Sequence, residues 1–222
     1  MQRQGHFISF EGGEGSGKST QATRLAERLN LRGHEVVLTR EPGGSPGAEA
    51  IRHLLLKGIA KPLGPEAETL LFAAARDDHV TTLIRPALNR GAWVICDRFI
   101  DSTRVYQGTL GNVDQRLIRA LERLVVGATM PDITFILDIP PEVGLSRAAG
   151  RGEGADRFEA EHIEYHRLLC EAYRELAERE PERCILVDAT PSADAIAVCI
   201  WMQVSERFLR AASATVSPRA RA

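Results

Sequence analysis

Residues Gly12-Gly13-Glu14-Gly15-Ser16-Gly17-Lys18-Ser19 constrain this chain more than any other stretch. They fit the phosphate-loop pattern of Gly, four residues, then Gly-Lys-Ser. The preceding run, His6-Phe7-Ile8-Ser9-Phe10-Glu11, reads as a short buried strand. The following run, Ser19 through Leu31, carries apolar residues at helical spacing: Ala22, Leu25, Ala26 and Leu29. In that context the glycines of Gly12, Gly13, Gly15 and Gly17, with Ser16, turn backbone amides toward phosphate oxygens. The helix N-terminus adds partial positive charge and Lys18 a full one. Ser19, next to Thr20, offers a hydroxyl to a phosphate-bound magnesium. Among 28 Lys and Arg residues only Lys18, Lys57 and Lys61 are lysine. An arginine-preferring chain therefore keeps a lysine where a compact point charge suits phosphate.

The rest of the chain supplies the frame. Strand-like runs at Glu35–Thr39, Trp93–Cys96, Ile133–Ile139 and Cys184–Val187 alternate with helical stretches. Glu66 to about Asn89 has helix periodicity, and Pro86 is expected to bend or shorten it. The fold predicted is α/β: a five-stranded parallel sheet flanked by helices on both faces, the P-loop NTPase arrangement, with a mobile lid segment. One domain is expected over residues 1–209, with the lid at about 147–158 and a frayed tail at 210–222. Ligands of such sheets sit beyond the carboxyl ends of the strands. Those ends carry the glycine loop, Arg40-Glu41, Asp97-Arg98 and Ala189-Thr190.

Composition narrows the partners. A formal charge of -2 argues against a general nucleic-acid or anionic-membrane binder, and 5% aromatics are too few for a base-stacking track. No apolar run approaches membrane-spanning length, and Cys96, Cys170, Cys184 and Cys199 form no Cys-x-x-Cys pair. Scattered thiols fit a cytoplasmic location. His162 and His166 lie one helical turn apart, but the intervening residues lack the zinc-protease order. There is no Asn-Lys-x-Asp base reader of the GTPase kind. Instead Arg40, Arg52, Arg76 and Arg98 fall near strand ends, and Arg147, Arg151 and Arg157 surround a glycine-rich segment. Two phosphate-bearing substrates need two sets of cations. A deoxynucleoside kinase on the same fold, with Glu41 as base, and a non-catalytic nucleotide switch are the alternatives.

The motifs resemble those of the thymidylate kinase family, bacterial type. They are Phe10-Glu11-Gly12 through Thr20, Thr39-Arg40-Glu41-Pro42-Gly43-Gly44, Leu71-Phe72 through Arg76, Asp97-Arg98-Phe99, Tyr106-Gln107-Gly108, Pro131-Asp132, Leu137-Asp138, and Arg151-Gly152-Glu153 with Asp156-Arg157. The match covers about Gly5 to Leu209.

The resemblance implies transfer of the ATP γ-phosphoryl group to thymidine monophosphate, with Mg2+, in a homodimer. It implies that Gly12 to Thr20 hold the ATP phosphates and that Ala189, with Thr190, lies beside adenine. Glu14 is implied to face the acceptor sugar's 3′-hydroxyl, Arg98 the acceptor phosphate, and Asp97 the magnesium with Ser19. Phe72 is implied to stack on thymine, Arg76 to bond its carbonyl edge, and Gln107 with Thr103 to face the rest of that edge. Tyr106 is implied to crowd the 2′ position, Arg52 to contact the acceptor, and Glu41 to lie in the phosphate–magnesium region. The bacterial type brings an arginine from the lid, here Arg151 with Arg147 and Arg157 as rivals. Thr103-Arg104-Val105 stands where relatives often carry smaller residues. The acceptor is itself a phosphate, mostly dianionic at neutral pH, so no catalytic base is required.

Overall fold

The chain is described here by a computed structural model over residues 5–150 and 161–209. Five strands form one sheet: β1 (Phe7–Gly12), β2 (Val36–Arg40), β3 (Trp93–Asp97), β4 (Ile133–Asp138) and β5 (Cys184–Asp188). Their spatial order is β2-β3-β1-β4-β5, and every pairing is parallel. All the carboxyl ends therefore share one edge. Phe10 and Arg40 both pair with Asp97, which brings the ends of β1, β2 and β3 level.

Helices cover both faces, so the central strands are apolar nearly throughout. Ile8 and Phe10 point to one face, where they join Leu25 and Leu29 of α1 (Lys18–Asn30) and Ile196 and Ile200 of α9 (Ala193–Val204). Phe7 points to the other face and packs with Val94, Ile84, Leu88 and Phe99. A third cluster sets Ile136 against Leu169, Tyr173 and Leu176 of α8 (Ile163–Arg179). Each such buried side chain contributes about 1.5–3 kcal/mol relative to exposure.

Between β2 and β3 lie α2 (Pro46–Leu56), α3 (Pro65–His79) and α4 (Arg85–Asn89). Pro86 was expected to bend or shorten this region. Instead a π-helical turn, Val80–Ile84, joins α3 to α4, and the Arg85 amide donates to the Val80 carbonyl five residues back. The wider turn accommodates a residue that has no amide hydrogen and whose ring crowds the preceding turn. A second π turn, Arg104–Leu110, extends α5 (Ile100–Thr103) toward α6 (Gln115–Val125). α7 (Pro141–Ala149) follows β4.

The face that carries Phe7 also buries polar groups, and these are paired as burial demands. The Ser9 and Thr134 hydroxyls lie 2.7 Å apart, and Thr134 donates to Asp101 at 3.1 Å. Arg183 grips fully buried Asp101 with two bonds of 2.6 and 2.8 Å. Arg104 joins Asp101, Glu122 and Glu180. Arg104 thus ties α5 to α6 and to the end of α8. Its neighbour Thr103 lines the cavity described next.

Candidate active site

The glycine loop closes over its own lysine. Gly12, Gly15 and Gly17 have φ of 131°, 65° and 93°, a region that favours glycine. A side chain at Gly15 would also strike the Gly144 carbonyl of α7, so the loop is seated directly on that helix. Lys18 is buried, and its Nζ donates to the Gly12 and Gly13 carbonyls at 3.1 and 2.7 Å. Burial and the nearby Arg98 push its pKa down, against the pull of Glu14, Asp97 and Glu11. The Ser19 hydroxyl donates to the Asp97 carboxylate. That pair of hard oxygen ligands suits a magnesium ion that takes its remaining ligands from phosphate and water. No cluster of three or more His, Cys, Asp or Glu with metal-binding geometry occurs among the described residues.

Immediately after β3, Arg98 adopts φ 69°, a left-handed conformation uncommon for any residue other than glycine. Its guanidinium reaches Glu14 at 2.5 Å, the Gly12 carbonyl at 3.3 Å and the Ser102 hydroxyl at 3.4 Å. The Tyr106 hydroxyl adds a bond to the same Glu14 oxygen at 3.1 Å. Burial alone would raise the Glu14 pKa. Arg98, Lys18 and the Tyr106 hydroxyl outweigh it and hold the carboxyl at about 2. Burial works against the charge on Arg98 too, yet Glu14 keeps it firmly protonated.

Glu11 secures the Arg98 turn from beneath. It is fully buried and accepts from the Phe99 amide at 2.7 Å, the Ser102 amide at 3.2 Å, the Ser102 hydroxyl at 2.6 Å and the Tyr173 hydroxyl at 2.9 Å. Burial, with Asp101 nearby, raises its pKa to about 7 despite the Ser102 hydroxyl, Arg98 and the Phe99 amide.

A cleft of about 290 Å3 opens above these groups. Its walls bring together Glu14, Lys18 and Ser19 from the loop region, Glu41 and Arg52, Phe72 and Arg76 of α3, and Asp97, Arg98, Thr103, Tyr106 and Gln107. Gly15, Gly17 and Thr20 line it as well. Phe72 and Arg76 share one face of α3 because they are four residues apart. Arg76 is buried, donates from Nε to Glu41 at 2.7 Å, and lies with its guanidinium carbon 5.4 Å from the Phe99 ring centre. The Arg52 guanidinium donates to the Pro42 carbonyl at 2.5 Å.

Two further residues have fixed partners. Glu41, expected in the phosphate–magnesium region, lines the cleft. Its carboxylate is held by Arg76 and by His79, at 2.7 and 3.0 Å. Arg147, a rival for the lid role, donates to the Ala189 and Thr190 carbonyls at 2.9 and 3.2 Å and so buttresses that loop. Ala189 itself is fully buried, and its amide donates to the Asp138 carbonyl at 2.8 Å while its carbonyl accepts from Arg147. Arg40, read from the sequence as one of the phosphate-facing cations, lines the cleft and also pairs with Glu49 at 3.0 Å. Arg151, Arg157, most of the lid and the tail at 210–222 lie outside the described residues.

Sequence reasoning gave no role to Glu11, Ser102 or His79. An acid inside an otherwise apolar strand was a signal for Glu11. Helical spacing was a signal for His79, three residues beyond Arg76, and for Ser102, four beyond Arg98.

The family model described as thymidylate kinase matches residues 10–200. The chain belongs to the thymidylate kinase family. A thymidylate kinase of Nitrobacter winogradskyi is 59% identical over 220 residues, covering 98% of this chain and 96% of the relative. One from Bradyrhizobium diazoefficiens is 57% identical over 215 residues, covering 96% and 94%. Among solved structures, a thymidylate kinase from Ehrlichia chaffeensis superposes with a TM-score of 0.73 at 35% identity, covering 90% of this chain and 98% of that one. The parallel sheet with its glycine loop is thus the family's fold, and the activity is the family's: phosphorylation of thymidine monophosphate by ATP. No helix among the described residues is long and apolar enough to cross a membrane.

Proposed function

We propose that the two substrates meet in this one cleft, and that the ATP γ-phosphoryl passes in line to the phosphate of thymidine monophosphate. The observation that carries this reading is the placement of Lys18 and Ser19 at one wall, Phe72 and Arg76 at another, and the Arg98–Glu14 pair among the same lining residues. Residues 12–20 hold the donor phosphates, and the Ala189-Thr190 loop flanks adenine. Phe72 stacks on the thymine ring, while Arg76, Gln107 and Thr103 meet its polar edge. Glu14 accepts from the sugar 3′-hydroxyl, and Tyr106 packs against the 2′ position. Arg98 and Arg52 contact the acceptor phosphate. Arg151 is assigned to the γ-phosphate by the family resemblance alone.

Two polyanions brought together repel each other, so most of the catalytic work is alignment and charge cancellation. Arg98, held protonated beside the loop, supplies fixed charge where the phosphates approach. Magnesium bound by Ser19 and Asp97 would supply further neutralisation when present. A dianionic acceptor oxygen needs no proton removed, which agrees with a cleft whose carboxylates are already engaged by arginine, histidine or hydroxyl groups. The free thiols support a reducing, cytoplasmic setting, and the resemblance supports a homodimer.

A coupled assay across nucleosides and nucleoside monophosphates tests the reading. Turnover of thymidine monophosphate, lost on chelating magnesium, is expected. Turnover of the unphosphorylated nucleoside would instead select a deoxynucleoside kinase. Sedimentation velocity checks the dimer.

A further inference from the structure

His79 lies outside the cleft wall, yet it is fully buried and both ring nitrogens are used. Nδ1 lies 3.0 Å from Glu41 Oε1, and Nε2 lies 2.7 Å from the Thr39 hydroxyl of β2. A carboxylate oxygen can only accept, so Nδ1 carries the hydrogen. The second Glu41 oxygen takes Nε of Arg76 at 2.7 Å, and Nη2 of Arg76 donates to the Phe99 carbonyl at 3.2 Å. Two anchors, one from Nε to Glu41 and one from Nη2 to Phe99, hold a planar guanidinium in one orientation. Nη1 has no partner among the described residues, on a side chain that lines the cleft. The chain of contacts is closed from outside by Gly44, at φ 87°, where any side chain would collide with the Thr39 hydroxyl and the His79 ring.

We propose that His79 is a positioning residue for acceptor selectivity: acting through Glu41, it fixes the Arg76 guanidinium so that the enzyme favours a pyrimidine presenting a carbonyl over one presenting an amino group. This inference rests on the reading that Arg76 meets the base. Guanidinium hydrogens can only donate. A carbonyl accepts them, whereas an exocyclic amino group sets donor against donor, and a rigid site built for one rejects the other strongly. Selectivity of this kind needs the arginine held. Without His79, one Glu41 oxygen loses its partner in a buried place, the carboxylate turns to recover one, and Arg76 follows it. A loosened guanidinium yields to an amino group.

The test compares kcat/KM for thymidine monophosphate with that for deoxycytidine monophosphate. His79→Leu, which keeps bulk and removes both nitrogens, is expected to lower this ratio at least tenfold. His79→Asn retains a donor near Nδ1 and should restore the ratio to within about threefold of the parent. Thr39→Val removes only the outer hydroxyl and should shift the ratio the same way by less, which keeps the proposal testable if His79→Leu folds poorly. A purely structural role would reduce active enzyme and lower both acceptors together. An unchanged ratio in His79→Leu, or in Thr39→Val where the first cannot be purified, overturns the relay. Arg76→Ala separates the two levels of the argument. If it collapses the ratio while the His79 and Thr39 variants do not, the relay alone fails. If it leaves the ratio intact, base reading by Arg76 fails and takes the relay with it.

Discussion

Arg98 holds a backbone conformation that costs on the order of 1 kcal/mol or more, and it is kept there by neighbours rather than by its own preference. The Phe99 and Ser102 amides, both bound to Glu11, fix the turn that follows it. Replacing Arg98 by Ala should lower kcat at least about a hundredfold, because acceptor and donor charges would then face each other unshielded. Steady-state rates near wild type would take Arg98 out of the site. Glu11 leads to a prediction about pH. Its carboxyl titrates at about 7 in the folded chain against 4.5 when free. Between those values the unfolded chain releases the proton and the folded chain keeps it. Stability that is complete below pH 4.5 is therefore lost as pH rises through 7. Glu11→Gln should remove that slope while keeping the contacts, since the Ser102 and Tyr173 hydroxyls can turn to accept from an amide nitrogen. Denaturant midpoints from pH 5 to 8 would check it, and parallel slopes for the two proteins would contradict it. Glu14 acts in the opposite sense: held at about 2, it contributes stability above pH 4.5 that is lost as pH falls toward 2.

The contact between the glycine loop and α7 is a matter of elements, not of one side chain. Gly15 and Gly144 meet backbone to backbone, and Gly15 is left-handed. Gly15→Ala should cost about 2–4 kcal/mol and weaken ATP binding, seen as a lower melting midpoint and a higher KM for ATP. An unaffected midpoint would mean that α7 is free to move away. This scale also shows what could be read in advance. Strand periods and the turn residues marked all five strands and the edge they share, because a parallel sheet covered on both faces demands continuous apolar runs. The helical run from Glu66 to about Asn89 was legible from its periodicity, but the π turn that carries it to Pro86 was not, since nothing local announces one. Nor was the partner of Glu41. Its place at the end of β2 was visible, but its capture by Arg76 and His79 depends on how α3 lies over that strand, a long-range fact. Phe72 and Arg76 were readable as one face because their spacing is local. Phe72→Ala should accordingly raise KM for the acceptor more than KM for ATP, and equal effects on both would argue against stacking.

At the scale of the whole molecule, one sheet edge gathers side chains from residue 14 to residue 107 into a single cleft, with the loop on β1 as its floor. The account depends on both anions entering that cleft, their phosphates meeting at Arg98. A crystal structure with ADP and thymidine monophosphate bound together tests this most directly. The account predicts the pyrimidine against Phe72 and Arg76, with its 5′-phosphate within hydrogen-bond reach of Arg98 and directed at the nucleotide phosphates. A monophosphate bound elsewhere, or one whose phosphate points away from the glycine loop, would contradict it.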